Sequence, residues 1–368
     1  MKSLFLKKKV IAALMAGMFA FGSFAAVDAA SRAELAAIKV QTAADFQYWE
    51  KNSPTKKALV KYVQDVTNPR SKNYIPPEDR IATFDLDGTL YCETAPYYFQ
   101  EMMFLHRALE DKNFAATPEM KSIASKVKPY IMNKESIPKD LGAEFAVQMR
   151  KSYAGMTKEE YSDYVKKFME TNEVGLTNLK RGEAYYLPMV EVVSYLQNNG
   201  FTIYMDSACE REILRCLVDG VLDIPLDHMI GSNVAYVSTG MGSEAPDKHF
   251  YDRHKEKVVR SDVFLGENGN CNKIFSIFTE IGKRSVLAFG NSMGDSGMLE
   301  FNLKYIQQKS VEKIVSTGFF MPAFLSGKML LPVLPGSRRS ALCHGAGRFP
   351  WRWPAPVPSP GRCPGRPF

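Results

Sequence analysis

The sequence has little of what would mark a metal-thiolate, membrane-spanning or nucleic-acid-binding protein. It holds six cysteines in 368 residues, and their spacing supports no metal site. The apolar run Val10 to Phe24 is too short to be a comfortable membrane span. No cysteine follows that run directly, which argues against a lipid-modified N-terminus. Internal repeats are absent. The formal charge of +7 does not describe a basic body: residues 1–29 contribute +3 and residues 335–368 contribute +6, which leaves −2 between them. The basic balance therefore says nothing in favour of nucleic acid, and no nucleic-acid partner is expected.

The two ends stand apart from the rest. Lys2, Lys7, Lys8 and Lys9 form a positive segment ahead of the apolar run, and Val27-Asp28-Ala29 is a small-residue cleavage site. Residues 1–29 read as a secretory signal peptide cut near Ala29, with a retained anchor helix as the alternative. The mature chain is then expected in the periplasm or secreted, with no stable membrane anchor. From Pro335 to Phe368 there are eight prolines, six arginines and no Lys, Asp or Glu. Such a Pro/Arg-rich tail cannot bury a core and is expected to be disordered. The length between these ends suits one sizeable α/β domain with an insert.

The most informative stretch is Ile81-Ala82-Thr83-Phe84-Asp85-Leu86-Asp87-Gly88-Thr89-Leu90. A short apolar run ends in two aspartates one residue apart and then a Gly-Thr turn. A buried strand here would deliver both carboxylates to its C-terminal tip, where open α/β sheets bind ligands. A carboxylate there can attack phosphorus, and a second one can protonate a leaving oxygen.

Upstream, residues 30–79 read as a helical extension. Ser53-Pro54 is a start signal, Leu59, Val60, Val63 and Val66 recur at helical spacing, and Pro69 to Arg80 is a linker. Downstream, residues 95–184 look mainly helical. Thr117-Pro118 opens one helix, and Thr157-Lys158-Glu159-Glu160 is a capping box ahead of Tyr161, Tyr164, Val165 and Phe168. Alternation of sheet and helix resumes after Leu187. Met189, Val192, Val193 and Leu196 share a helix face, and Gly200 ends that helix. Phe201 to Asp206 reads as a strand with Ser207 at its end, and Cys209 to Val218 reads as the next helix. Ser207 would then stand where helix N–H groups bind anions. Further strands are expected near Met229–Ile230, Val234–Val237 and Val259–Phe264. Lys273 opens a helix faced by Ile274, Ile277, Phe278 and Ile281, a position unfavourable for the helix dipole. Ser285 to Phe289 is a last strand before Gly290-Asn291-Ser292-Met293-Gly294-Asp295.

The run Asp85-Leu86-Asp87-Gly88-Thr89 resembles the first motif, DxDxT, of the haloacid dehalogenase-like hydrolases. Ser207, Lys273 and the Asn291 to Asp295 segment are similar to that family's second, third and fourth motifs, in the family's order. The resemblance implies an α/β fold with a Rossmann-like parallel sheet, helices on both faces, and a helical cap inserted after the first strand. The cap is similar to that of the phosphoserine-phosphatase-like branch. The core would comprise residues 80–94 and 185–310, and the cap residues 95–184. It further implies a Mg²⁺-dependent phosphate monoester hydrolase that works through an aspartyl-phosphate on a small phosphorylated metabolite. Asp85 would be the nucleophile and Asp87 the acid and base. Ser207 and Lys273 would hold the phosphate, with Lys273 also offsetting charge on the nucleophile. Asp85, Asp87, Asn291 and Asp295 would serve the metal. Lys257 is a second choice for the lysine role. Asn291 stands where the family more often has Asp.

Substrate reading is less specified. Glu93 and Arg211 are candidate specificity residues, and Tyr91, Tyr97, Tyr98 and Phe99 offer a conceivable cage for a quaternary ammonium. A Cys92–Cys209 disulfide is conceivable for an exported chain. Two other readings stay open: a phosphotransferase or mutase, and a non-enzymatic secreted binder on the same scaffold. After Phe301 the resemblance fades.

Overall fold

The computed structural model describes residues 29–92 and 97–303. The expected signal peptide up to Asp28, the candidate residue Glu93 and the tail 335–368 lie outside them. Among the described residues no helix is long and apolar enough to cross a membrane.

The chain enters through two helices, α1 (Arg32–Ala37) and α2 (Pro54–Thr67). Ser31 and Glu34 form a capping box on the first, and the Ser53 hydroxyl accepts the Lys56 N–H on the second, with Pro54 in the first turn. Strand β1 (Ile81–Phe84) follows. Four helices come next: α3 (Phe99–Leu109), α4 (Pro118–Asn133), α5 (Lys139–Lys151) and α6 (Lys158–Met169). Both expected start signals are used, since Thr117 caps α4 and Thr157 with Glu160 closes a box on α6. Tyr161, Val165 and Phe168 of α6 are buried, as the apolar stripe requires.

The remaining elements are α7 (Leu187–Asn198), β2 (Thr202–Glu210), α8 (Arg211–Val218), β3 (Met229–Ser238), β4 (Val258–Gly266), α9 (Cys271–Ser276), β5 (Leu287–Phe289) and α10 (Ser296–Leu303). A π-helical turn, Ile277–Ile281, extends α9 until Gly282 reverses the chain at φ 72°. Every residue of α7 from Met189 to Leu196 is buried, not one face alone. One reason is that the N-terminal extension lies on it: Val40 N–H donates to Ser194 Oγ at 2.9 Å and Trp49 Nε1 to Pro188 O at 2.8 Å.

The sheet order is β4-β3-β2-β1-β5. Strands β3, β2, β1 and β5 run parallel, and β4 pairs antiparallel with β3. The fold is thus α/β with a mostly parallel Rossmann-like sheet. The expected pieces Met229–Ile230 and Val234–Val237 are one continuous strand, and β4 returns beside it as a hairpin. All four residues of β1 are buried, which suits a central strand covered on both faces. Phe84 stacks on Phe289 of β5 with centroids 4.2 Å apart, a contact whose truncation to Ala would cost about 3–5 kcal/mol. Strand order reverses at β1, with β2 on one side and β5 on the other. The crevice at the C-terminal ends of β1 and β5 is therefore the topological switch point, where such sheets take ligands.

Candidate active site

Asp85 directly follows β1. Its N–H still donates to Phe289 O, at 2.9 Å, so the ladder fixes its position. Leu86 O then accepts N–H groups from Thr89, Leu90 and Tyr91, and Gly88 takes φ 78° in the turn. This tight turn leaves Asp85 buried and Asp87 partly exposed.

Lys273 is buried on α9 and reaches two carboxylates. Its Nζ lies 2.8 Å from Asp85 Oδ1 and 2.6 Å from Asp295 Oδ1. Burial disfavours the ammonium, but Asp85, Asp295 and Asp206 more than offset this, and its pKa is raised. Asp85 is pushed up to about 6 by desolvation, with Lys273 pulling it down and Asp295 pushing it up. One cation thus serves several acids.

Asp295 Oδ2 accepts the N–H groups of Asn291 and Ser292, at 3.1 and 3.0 Å, and the Ser292 hydroxyl at 3.2 Å. Both its oxygens are committed to Lys273 and to this turn, so it supports the site from behind. A Cβ on Gly290 would lie 2.5 Å from the Asp295 Cβ, which explains the glycine.

Asn291 brings the amide that the sequence singles out. Its outer amide atom lies 2.9 Å from Asp87 O, 3.3 Å from Asp85 Oδ2 and 3.1 Å from Thr89 Oγ1. As nitrogen this atom donates to all three. As oxygen it accepts from Thr89 and sets a third oxygen against those of Asp85 and Asp87. Octahedral Mg²⁺ with ligands at about 2.1 Å spaces neighbouring oxygens about 3.0 Å apart, and the 2.9 and 3.3 Å from that oxygen to Asp87 O and Asp85 Oδ2 suit such an ion. No group of three His, Cys, Asp or Glu that could hold a metal occurs among the described residues. The donor set here depends on a main-chain carbonyl and an amide.

Ser207 is buried but does not open a helix. Strand β2 runs on to Glu210, and α8 starts at Arg211. A register shift against β3 between Asp206 and Glu210 carries the chain past this point still extended. Ser207 Oγ accepts the Cys209 N–H at 3.2 Å, and Ser207 O accepts Asn268 Nδ2 at 3.1 Å. Asn268, which the sequence reading did not single out, also donates to Asp206 Oδ1 at 2.7 Å, takes the Ser276 hydroxyl at 2.7 Å and donates its N–H to Ser232 Oγ at 2.9 Å. Asn268 thus ties the Ser207 segment to β3 and to the helix that bears Lys273. Asp206 is fully buried, and burial pushes its pKa up to about 7. No sequence pattern distinguishes Asn268; Asp206 was visible only as the neighbour of Ser207.

Other expectations fare differently. The Arg211 guanidinium is paired with Glu280. Lys257 is exposed at the base of the β3–β4 hairpin loop. Cys92, Cys209, Cys216 and Cys271 are free thiols, so the Cys92–Cys209 bridge is not formed. Of the four conceivable cage aromatics, Tyr91 donates to Arg181 O, Tyr97 donates to Met132 O and Phe99 packs on Phe168; Tyr98 alone lines the cavity beside Asp87.

The site is thus an acid pair at the switch point of a mostly parallel α/β sheet, with a buried lysine that spans two carboxylates. The family profile of haloacid dehalogenase-like hydrolases matches residues 82–300. The chain belongs to that family. Solved structures similar to it include a conserved protein of unknown function from Anaerococcus prevotii, at 16% identity over 67% of this chain and 82% of that one, TM-score 0.41. A hydrolase of the same family from Salmonella enterica serovar Typhi shares 15% over 60% and 59%, TM-score 0.32. A phosphoserine phosphohydrolase-like protein from Francisella tularensis shares 18% over 60% and 82%, TM-score 0.30. A comparison with curated proteins finds no match.

Proposed function

We propose that the chain is an exported phosphatase that hydrolyses a small phosphate monoester through an aspartyl-phosphate on Asp85. The observation that carries this reading is the Lys273 ammonium held between Asp85 and Asp295 at 2.8 and 2.6 Å, at the strand end that also bears Asp87. The lysine keeps Asp85 ionised in a buried place, as a nucleophile needs. Asp85 forms the bond to phosphorus while the bond from phosphorus to the alcohol oxygen breaks. Asp87, at the cavity wall, gives its proton to the departing oxygen. It then takes a proton from water, whose oxygen attacks the same phosphorus and releases phosphate and free Asp85. Lys273, the Ser207 hydroxyl and nearby main-chain N–H groups hold the phosphoryl oxygens.

Mg²⁺ is the implied cofactor, held by the Asp85 carboxylate, the Asp87 carbonyl and the Asn291 amide oxygen; when bound it neutralises charge between an anionic ester and a carboxylate. Asp295 positions Lys273 and the Asn291 turn. Export rests on the pattern of residues 1–29, and N-terminal sequencing of the fractionated protein tests it; an uncut cytosolic chain would refute it. The activity test is hydrolysis of an aryl phosphate by the mature chain, with and without Mg²⁺, beside Asp85→Asn. Metal-dependent turnover that vanishes in the variant supports the reading. Undiminished turnover in Asp85→Asn overturns it.

A further inference from the structure

At the C-terminal end of the sheet one ammonium faces three buried acids, Asp85, Asp295 and Asp206. Lys273 gives its two close contacts to Asp85 and Asp295. Asp206 is left over. It precedes Ser207 on β2 and is wholly buried. It lies near enough to raise the Lys273 pKa, yet no ion pair joins the two among the described residues. Asp206 Oδ1 accepts Asn268 Nδ2 at 2.7 Å, while Asp206 Oδ2 is buried without a hydrogen-bond partner.

An ionised carboxylate presents two acceptor oxygens, and here only one meets a donor. The neutral acid fits this place better. Its carbonyl oxygen takes the Asn268 amide, and its other oxygen carries the proton on the side where nothing donates. An unpaired buried O–H costs less than an unpaired buried charge. The charged groups that face Asp206 are Lys273 from α9, Asp85 from the end of β1 and Asp295 from the turn before α10. Its neighbour on β3 is the apolar Ile230. With every acid ionised, one cation would stand against three anions. Burial, then Asp85 and Asp295, push Asp206 up to about 7 against the pull of Lys273 and the Asn268 amide. A phosphoryl group held at Ser207 adds negative charge beside the next residue of the chain.

We propose that Asp206 is a positioning residue that must be a neutral carboxylic acid when the phosphoryl group binds, so that above neutral pH each binding event draws a proton from the solvent onto Asp206. The inference rests on the phosphatase reading and adds how pH governs its phosphate subsite. Asp206 touches neither phosphorus nor the departing oxygen. Ionised, it competes with Asp85 and Asp295 for Lys273 and repels the anion at Ser207. Neutral, it leaves the ammonium to its two partners and keeps Asn268 in place.

The test separates the two readings. Turnover of an aryl phosphate, lost in Asp85→Asn, tests the phosphatase reading by itself. The role of Asp206 is tested by calorimetry of sulfate binding to the mature chain with Mg²⁺, which needs no turnover. Sulfate stays a dianion between pH 6 and pH 8, so it adds no titration of its own. Asp206→Asn keeps the shape and the contact with Asn268 but is neutral throughout. It should bind sulfate within about threefold of wild type at pH 6 and about tenfold tighter than wild type at pH 8, one pH unit above the titration. Asp85 titrates in both chains and drops out of this ratio. Calorimetry in buffers of different ionisation heat should show wild type at pH 8 taking up about one proton more per sulfate than Asp206→Asn. A ratio that is the same at pH 6 and pH 8 overturns the inference, as does equal proton uptake. Wild type alone is decisive if the variant does not fold: uptake of less than about half a proton at pH 8 overturns the inference. Failure of wild type to bind sulfate at pH 6 likewise overturns it.

Discussion

Lys273 reaches Asp85 across 188 positions of sequence, Nζ to Oδ1 at 2.8 Å, and both side chains are buried. The pair joins the end of the central strand to a short helix near the far end of the family match. It also makes Asp295 dependent on the same ammonium. Removing one partner of a buried pair strands the other, at a cost of about 3–5 kcal/mol.

Lys273→Met is therefore expected to lose several kcal/mol of stability and to lose turnover. The double variant Lys273→Met/Asp295→Asn removes one of the stranded charges, and should recover part of the stability with none of the turnover. Chemical denaturation beside an aryl phosphate assay reads both quantities. Stability of the double variant below that of the single one would contradict the shared-ammonium account.

In the proposed site Asn291 would hold the cation through its amide oxygen. Mg²⁺ that binds the folded chain and not the unfolded one raises the melting temperature. The wild type should show such a rise on titration with Mg²⁺, reversed by a chelator. Asn291→Leu removes the oxygen and should abolish the rise, whereas Asn291→Asp adds a charge and should enlarge it. An identical rise in Asn291→Leu would move the metal away from this site. The readout is thermal and does not depend on activity.

How far these features were legible follows from where each signal sits. Asp85 and Asp87 announce themselves because strand, acid and turn are contiguous. The capping boxes of α1 and α6 are equally local, and the α6 one could be read directly. Lys273 was legible through an oddity, a cation in the first turn of a helix, which its two carboxylates now explain. Ser207 was misplaced because an apolar run followed by a helical period hides the continuation of β2 to Glu210. That continuation depends on pairing with β3, which no local pattern encodes. Arg211 looked available only because Glu280, its partner, lies 69 positions away. The full burial of α7 was missed for the same reason, since its cover comes from the N-terminal extension.

Asn268 gathers what the motifs leave apart. Its side chain holds Asp206, the Ser207 carbonyl and the Ser276 hydroxyl together. Asn268→Ala should cost about 1–3 kcal/mol through the polar groups it strands. It should raise KM for an aryl phosphate more than it lowers kcat, because it loosens the Ser207 segment, proposed to bind phosphate, and leaves Asp85 and Asp87 in place. Asn268→Asp keeps the shape but sets a second carboxyl against Asp206, and should not restore KM. Steady-state kinetics on the two variants checks this. A pure loss of kcat with KM unchanged would assign Asn268 to the chemistry instead.

Glu101, at the cavity wall beside Asp87, should leave a mark on stability. Its pKa is about 7 in the folded chain against an ordinary value of 4.5, raised by burial. The folded chain therefore holds this proton more tightly than the unfolded chain. The resulting stabilisation is complete below about pH 4.5 and is lost as pH rises through about 7. A shift of this size corresponds to at most about 3 kcal/mol. Glu101→Gln cannot titrate, so relative to wild type it should gain roughly 1–3 kcal/mol between pH 4.5 and pH 8. Denaturant unfolding of both proteins across that range measures the difference directly, since other acids titrate alike in each. A difference that does not change with pH would mean that the carboxylate is solvated or paired. A gain in stability at pH 8 would show a carboxylate kept charged at the cavity wall at the expense of folding.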